Sequence, residues 1–148
     1  LDLVGRKLPA HTGRYLRHFF HPVADFISKH SDNKEMKEFI KPLSKAIDSL
    51  QKASLWLADQ GLRDPENAAA GSVEYLRLFA LAIMGFHWAQ MANIALLKQA
   101  DDEAGFYASK VATARFFMQK ILPAHYSLLA SITAGAKPIM QESIWKMD

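Results

Sequence analysis

The sequence predicts an all-α fold, an up-and-down four-helix bundle with kinked long helices. Three observations predict it. Apolar residues recur at steps of three and four along four separate segments, the period of helices that each bury one face. No stretch alternates with a period of two over the length of a strand. The turns between segments are short and polar, as between antiparallel neighbours in a bundle.

The first helix is expected over about residues 12–29, with Tyr15, Phe19, Val23, Phe26 and Ile27 on one side. Pro22 falls inside it and should kink it or mark its true start, because proline has no N–H and crowds the preceding turn. "SDNKE" then punctuates. Asp32 followed by Glu35 reads as a capping-box-like start, with Asp in place of Ser or Thr. The second helix is expected over about residues 33–60. Met36, Phe39, Ile40, Leu43, Ile47, Leu50, Ser54 and Leu57 form its stripe, and Lys34, Lys37, Lys41, Lys45 and Lys52 lie mostly off it. Pro42 should bend it. "GLRDPE" closes it: Gly61 suits the C-terminal end, Asp64 an N-cap and Pro65 the first turn of the next helix.

The third helix is expected over about residues 65–99, loosened near Gly71 and ended by "QADDEAG". Gly85, Ala89 and Ala92 stand on it at spacings of four and three, where small side chains let a neighbouring backbone come close. The fourth is expected over about residues 102–134. Phe106 or Tyr107, Val111, Ala114, Met118, Ile121, Leu122, Leu128, Leu129 and Ile132 form its stripe, and Pro123 should kink it. "GAKP" breaks it, and a short tail carrying Trp145 follows. The expected core is Phe39, Ile47, Phe79, Ile83, Trp88, Ile94, Val111, Met118 and Leu129.

Composition narrows the function. The 148 residues suit one domain, half of them hydrophobic and 22% charged, as in an ordinary soluble protein. The absence of cysteine excludes disulfides, thiolate nucleophiles and cysteine-ligated zinc or iron–sulfur sites. It also fits a reducing, cytoplasmic setting. The net charge of +3 is local: Arg6, Lys7, Arg14 and Arg17 face Asp2 alone in residues 1–21, and 14 basic and 14 acidic side chains follow. A nucleic-acid binder would show a broad basic face. The concentrated charge suits a local anion site, with a solvated chain end as the plain alternative. The segment "LFALAIMGFHWAQMANIALL" has the length of a membrane span. Its His87, Gln90 and Asn93 would be costly in hydrocarbon, so no membrane span is expected and a central bundle helix is the better reading.

Few residues suggest chemistry. A di-iron centre needs inward Glu-x-x-His pairs, and the third residue after Glu35, Glu38, Glu74 and Glu103 is Glu, Lys, Arg and Phe. His18 and His21 share a helix face, with only His11 or Asp25 nearby as a third ligand, so no metal site is expected. Arg14 to His21 fits a loose phosphate-and-proton pairing of helical ribonucleases, without a polar active-site run around it. His87 reads as a hydrogen-bonded core histidine, and His125 as ordinary. There is no glycine-rich phosphate loop, no Gly-x-Ser-x-Gly elbow and no carboxylate pair in an apolar pocket, so no catalytic residue is assigned.

Several strings together are more specific. They are Tyr75-Leu76, Gly85, Trp88-Ala89 and Met91-Ala92, then Lys110, Ala114-Arg115-Phe116-Phe117, Leu122-Pro123 and Gly135-Ala136. In this order and spacing the chain resembles the C-terminal helical domain of one group of FAD-dependent acyl-CoA dehydrogenases, roughly over residues 10–140. The resemblance implies one helical domain over residues 1–148. Within it, "LDLVGRKL" and the rest of residues 1–10 form the tail end of the dehydrogenase core, and residues 11–148 form the C-terminal bundle. It also implies that the catalytic Glu, which removes the α-proton of the acyl thioester, and the FAD, which takes the β-hydride, belong to the core. This chain would then hold no FAD and no catalytic base. It would wall the substrate entrance or make a subunit contact in a homo-oligomeric enzyme. Arg6 stands where the family places an Arg near the adenosine end of coenzyme A, and a guanidinium suits forked binding of phosphate. The implied partners are the core and the acyl-CoA substrate. The rival reading is a free-standing helical module for interaction or oligomerisation.

Overall fold

Helices form at each expected place, and their boundaries show what starts and stops them. The computed structural model describes residues 2–4, 14–102 and 104–140. Among these, α1 spans Arg14–His30, α2 Lys37–Arg63, α3 Pro65–Ala70, α4 Ser72–Lys98, α5 Phe106–Phe116, α6 His125–Thr133 and α7 Lys137–Met140, with no strand.

Pro22 lies inside α1, and helix continues on both sides, so it does not mark the start. Its missing N–H leaves the His18 carbonyl without a helical partner on an exposed face, where water can serve. The turn before α2 is built by Asn33 rather than Asp32. The Asn33 side-chain oxygen accepts from the N–H groups of Glu35 and Met36 at 3.0 and 3.3 Å. Asn favours such turns because its short amide mimics a backbone group. Helix α2 runs past Gly61 to Arg63, so Gly61 is not the stop. A methyl group there would stand 3.0 Å from the Ala68 Cβ, so this glycine lets α3 fold back closely on α2. Asp64 and Pro65 act as expected. The Asp64 carboxylate accepts from the Glu66 N–H at 3.0 Å, and Pro65 opens α3.

Gly71 divides the expected third helix into α3 and α4. The fourth is one rod of changing pitch. After α5 come a π turn, Phe117–Ile121, and a 3₁₀ turn, Leu122–Ala124, before α6. Pro123 accounts for the irregularity, since it cannot donate to the ladder and its ring would strike the carbonyl four residues back.

Contacts fix the topology. Phe19 meets Phe79 and Phe26 meets Phe86, with ring centroids 5.0 and 5.5 Å apart, so α1 runs parallel to α4. Ser54 pairs with Tyr75 near the α2–α4 connection, and Leu43 lies against Gly85, so those two helices are antiparallel. Gly71 approaches Ile132 and Gly85 approaches Leu122, so α4 and the last rod are antiparallel as well. The result is the expected up-and-down arrangement of four rods.

Phe39, Ile47, Val111 and Met118 are buried as expected, whereas Phe79, Ile83, Trp88 and Leu129 are half-buried. Ile94 is 52% exposed and does not belong to the core. Helix α4 is apolar nearly all round, so its period does not choose a face. The buried stripe is instead Tyr75, Leu78, Ala82, Gly85, Ala89, Ala92 and Ala95, small over most of its length.

Gly135 ends α6 at φ +70°, and a Cβ there would lie 2.8 Å from the Asn67 Oδ1. That oxygen accepts the Ala136 N–H at 2.9 Å and ties the end of α6 to α3. Gly135→Ala should therefore cost about 1–3 kcal/mol, with a fall in Tm of about 2–4 °C per kcal/mol for a chain of this size. Gly105 has the same backbone conformation with nothing within 4 Å, so Gly105→Ala should carry the conformational cost alone and lower Tm less in the same thermal scan.

Candidate functional site

Arg6 lies outside the described residues. Of the N-terminal basic residues that are described, Arg14, Arg17 and His18 are exposed on α1. His21 Nδ1 stands 3.0 Å from the Asp25 carboxylate, one turn on, with both side chains in solvent. Among the described residues no three His, Asp or Glu side chains gather as for a metal ion.

The histidine expectations reverse. His87 is exposed rather than core, its Nδ1 3.1 Å from the Gln90 side-chain oxygen one turn away on α4. His125 is the buried one, 2% exposed, with Nδ1 2.8 Å from the Ser49 hydroxyl of α2. Burial pushes its pKa below the ordinary 6.5; Lys45 adds to the shift and Asp48 opposes it. Among the described residues Ser49 is the one partner of Nδ1, and a hydroxyl can serve either tautomer of the neutral ring there. Ser49 and His125 both stand on otherwise apolar helix stripes. That pairing was the sequence signal, visible only once α2 and α6 are known to touch.

A second polar contact ties α2 to α4. The Ser54 hydroxyl donates to the Leu50 carbonyl at 2.7 Å, so its oxygen accepts from the Tyr75 hydroxyl at 2.8 Å. Burial pushes the Tyr75 pKa up to about 12 despite that bond, so the phenol stays neutral. A third contact is at the surface. Arg115 forks onto both carboxylate oxygens of Glu38 at 2.6 and 2.7 Å, which lowers the Glu38 pKa and raises that of Arg115. These three bonds lock α2 to α4, α5 and α6.

A groove of about 770 Å³ runs between α4 and the last rod. Leu81, Met84 and Trp88 line one side, and Phe116, Phe117 and Ile121 the other. Phe116 is 57% exposed and Met84 49%, so large apolar side chains reach solvent along it. Among the described residues, Arg77 is the one charged residue in its wall. Such a surface can bind an apolar partner; it offers no acid–base pair.

The groove and its supports include several residues of the strings quoted above. Gly85 admits Leu122, Tyr75 anchors Ser54, and the Trp88 and Phe117 rings lie 6.3 Å apart. A family model described as acetyl-CoA dehydrogenase C-terminal like matches residues 19–142. The chain belongs to this family. No curated protein matches it.

The buried His125 makes a measurable prediction. Its folded pKa is depressed, so the unfolded chain takes up a proton first and stability falls as pH drops through the ordinary histidine value. Denaturant melts from about pH 7 to pH 5, the range in which an unperturbed imidazole titrates, should show this slope. His125→Gln should be less stable at neutral pH but flatter across that range. The Glu38 pair acts in a separate window: its contribution is lost only on acidification below the ordinary carboxylate value of 4.5.

Proposed function

We propose that this chain is the C-terminal helical domain of an FAD-dependent acyl-CoA dehydrogenase, which oxidises an acyl-CoA thioester to its α,β-enoyl form. On this reading the domain docks against the dehydrogenase core through the groove between α4 and the last rod. The observation that carries it is the row of large apolar side chains left open there, with Met84 and Phe116 about half exposed, in a chain of this family. An apolar patch of that kind is the mark of an interaction site.

FAD itself does not fit the groove. A flavin dinucleotide needs several donors for its diphosphate, and the wall supplies Arg77, Thr113 and Ser127 among apolar residues. Flavin and catalytic base are therefore assigned to the core. The purified chain should be colourless and should not oxidise acyl-CoA. Stoichiometric FAD binding by the chain alone would overturn the reading. Co-expressed with its core, the chain should co-elute with it, and Phe116→Asp or Met84→Asp should abolish co-elution while leaving helical content unchanged. If the same substitutions instead dissolve a self-assembled oligomer of the chain alone, the free-standing oligomerisation module is the correct reading.

Arg6 belongs to the same proposal. In the intact enzyme it contacts a phosphate of coenzyme A, supported by the excess positive charge in residues 1–21 and by its family position. A charge-assisted hydrogen bond contributes about 1.5–3 kcal/mol. Arg6→Ala should raise KM for acyl-CoA about ten- to a hundredfold. It should leave kcat nearly unchanged, since a phosphate remote from the reacting carbons is held equally in ground and transition states. Pantetheine thioesters, which lack the nucleotide, should be indifferent to the substitution. An unchanged KM for the full thioester would rule the contact out.

A further inference from the structure

A second hollow lies on the other side of the irregular segment from the groove. It holds about 210 Å³ and is bounded by Lys41 and Lys45 of α2 and by His125 and Tyr126 of α6, with Met118 and Leu122 also in its wall. We propose that this recess binds a small tetrahedral oxyanion of the phosphate type, held by the two ammonium groups and by the His125 Nε2–H.

Three observations carry the proposal. First, His125 is buried and its Nδ1 is occupied by Ser49, yet Nε2 has no partner among the described residues. Among the described residues no side-chain nitrogen or oxygen is both sealed from solvent and unpartnered. Nε2 is therefore reachable, and the recess that His125 lines is where it opens. In the tautomer proposed for this site the Ser49 hydroxyl donates to Nδ1 and the ring proton sits on Nε2, which then presents a donor there. Second, Lys41 and Lys45 stand one turn apart on the same face of α2, where like charges repel. Neither pairs with an acid among the described residues, and nearby Asp48 is held by Lys52 at 2.7 Å. An anion between the two lysines would relieve the repulsion. Third, the size is selective. At about 210 Å³ the hollow is below the roughly 300 Å³ at which drug-sized pockets begin, which suits a small ion. The anion would be either free inorganic phosphate or the phosphate of a small monoester whose remainder stays in solvent.

The test uses the 148-residue chain with ¹⁵N-labelled histidines, followed by NMR near neutral pH at constant ionic strength. Sodium phosphate, glycerol phosphate and sodium chloride are the titrants. The His125 ring signals should shift saturably with phosphate and not with chloride. Lys41→Gln and Lys45→Gln should each raise Kd about tenfold, equivalent to about 1.4 kcal/mol. Lys98→Gln, at the far end of α4, should leave Kd unchanged, and Lys45→Arg should retain binding. Saturation by inorganic phosphate alone assigns the site to the free ion, and saturation by glycerol phosphate too assigns it to monoesters. Both lysines are exposed, so the variants should keep the wild-type circular dichroism spectrum. The proposal is overturned if phosphate and chloride act alike on His125, or if the Lys41→Gln/Lys45→Gln double variant binds as the wild type does.

Discussion

The structure depends on how closely α4 can be approached. At Gly85 a Cβ would stand 3.2 Å from a Leu122 methyl carbon and 3.5 Å from one of Leu43, so α2 and the last rod both close on the same point of α4. Ala82, Ala89 and Ala92 extend that flat strip in both directions and are fully buried. Interiors pack at crystal-like density, so a larger side chain here would force α2 or the last rod outward. The stripe of small residues is thus what brings Ser54 to Tyr75 on one side and Trp88 to Phe117 on the other.

A helix that packs by its smallest residues leaves its largest ones elsewhere. Only 28% of the most apolar window of α4 is buried, although that window is hydrophobic enough to pass for a membrane span. Leu76, Met84, Ile94 and Leu97 consequently face outward. A chain folding alone gains little from such residues, because apolar surface stabilises only when it leaves water. Their presence is what favours a docking partner. It also explains how one sequence can resemble a membrane segment and a bundle helix together.

What the sequence made legible follows from the same physics. Helix α2 is amphipathic, so its buried face could be read directly, whereas the face read for α1 included Tyr15, which is 58% exposed; Asp64 with Pro65 announced the start of α3. In α4 the period carried no information about facing, and Ile94 was misassigned for that reason. The π turn before Pro123 was legible only as a kink, since a proline marks a fault in the ladder without saying how the fault is absorbed. His87 and His125 exchanged roles because a histidine in an apolar stretch is buried only if its own angle on the helix faces a neighbour. The family resemblance ran the other way: its residues were visible from the start, and their packing roles emerged only with the fold.

The irregular segment Phe117–Ala124 links the two candidate surfaces. Phe117, Ile121 and Ala124 line the apolar groove, while Met118, Leu122 and Pro123 line the basic recess. An unbroken α-helix would advance about 100° per residue and rotate its side chains steadily past both neighbours. The π turn inserts one extra residue and the 3₁₀ turn tightens the next, which resets the angle between α5 and α6. The reset delivers His125 inward to Ser49 and leaves Tyr126 outward, and it does so at the level where Leu122 closes on Gly85. Pro123 is therefore more than a tolerated break. By fixing where the ladder fails, it sets which side chains of the last rod line the apolar groove and which face the lysines of α2.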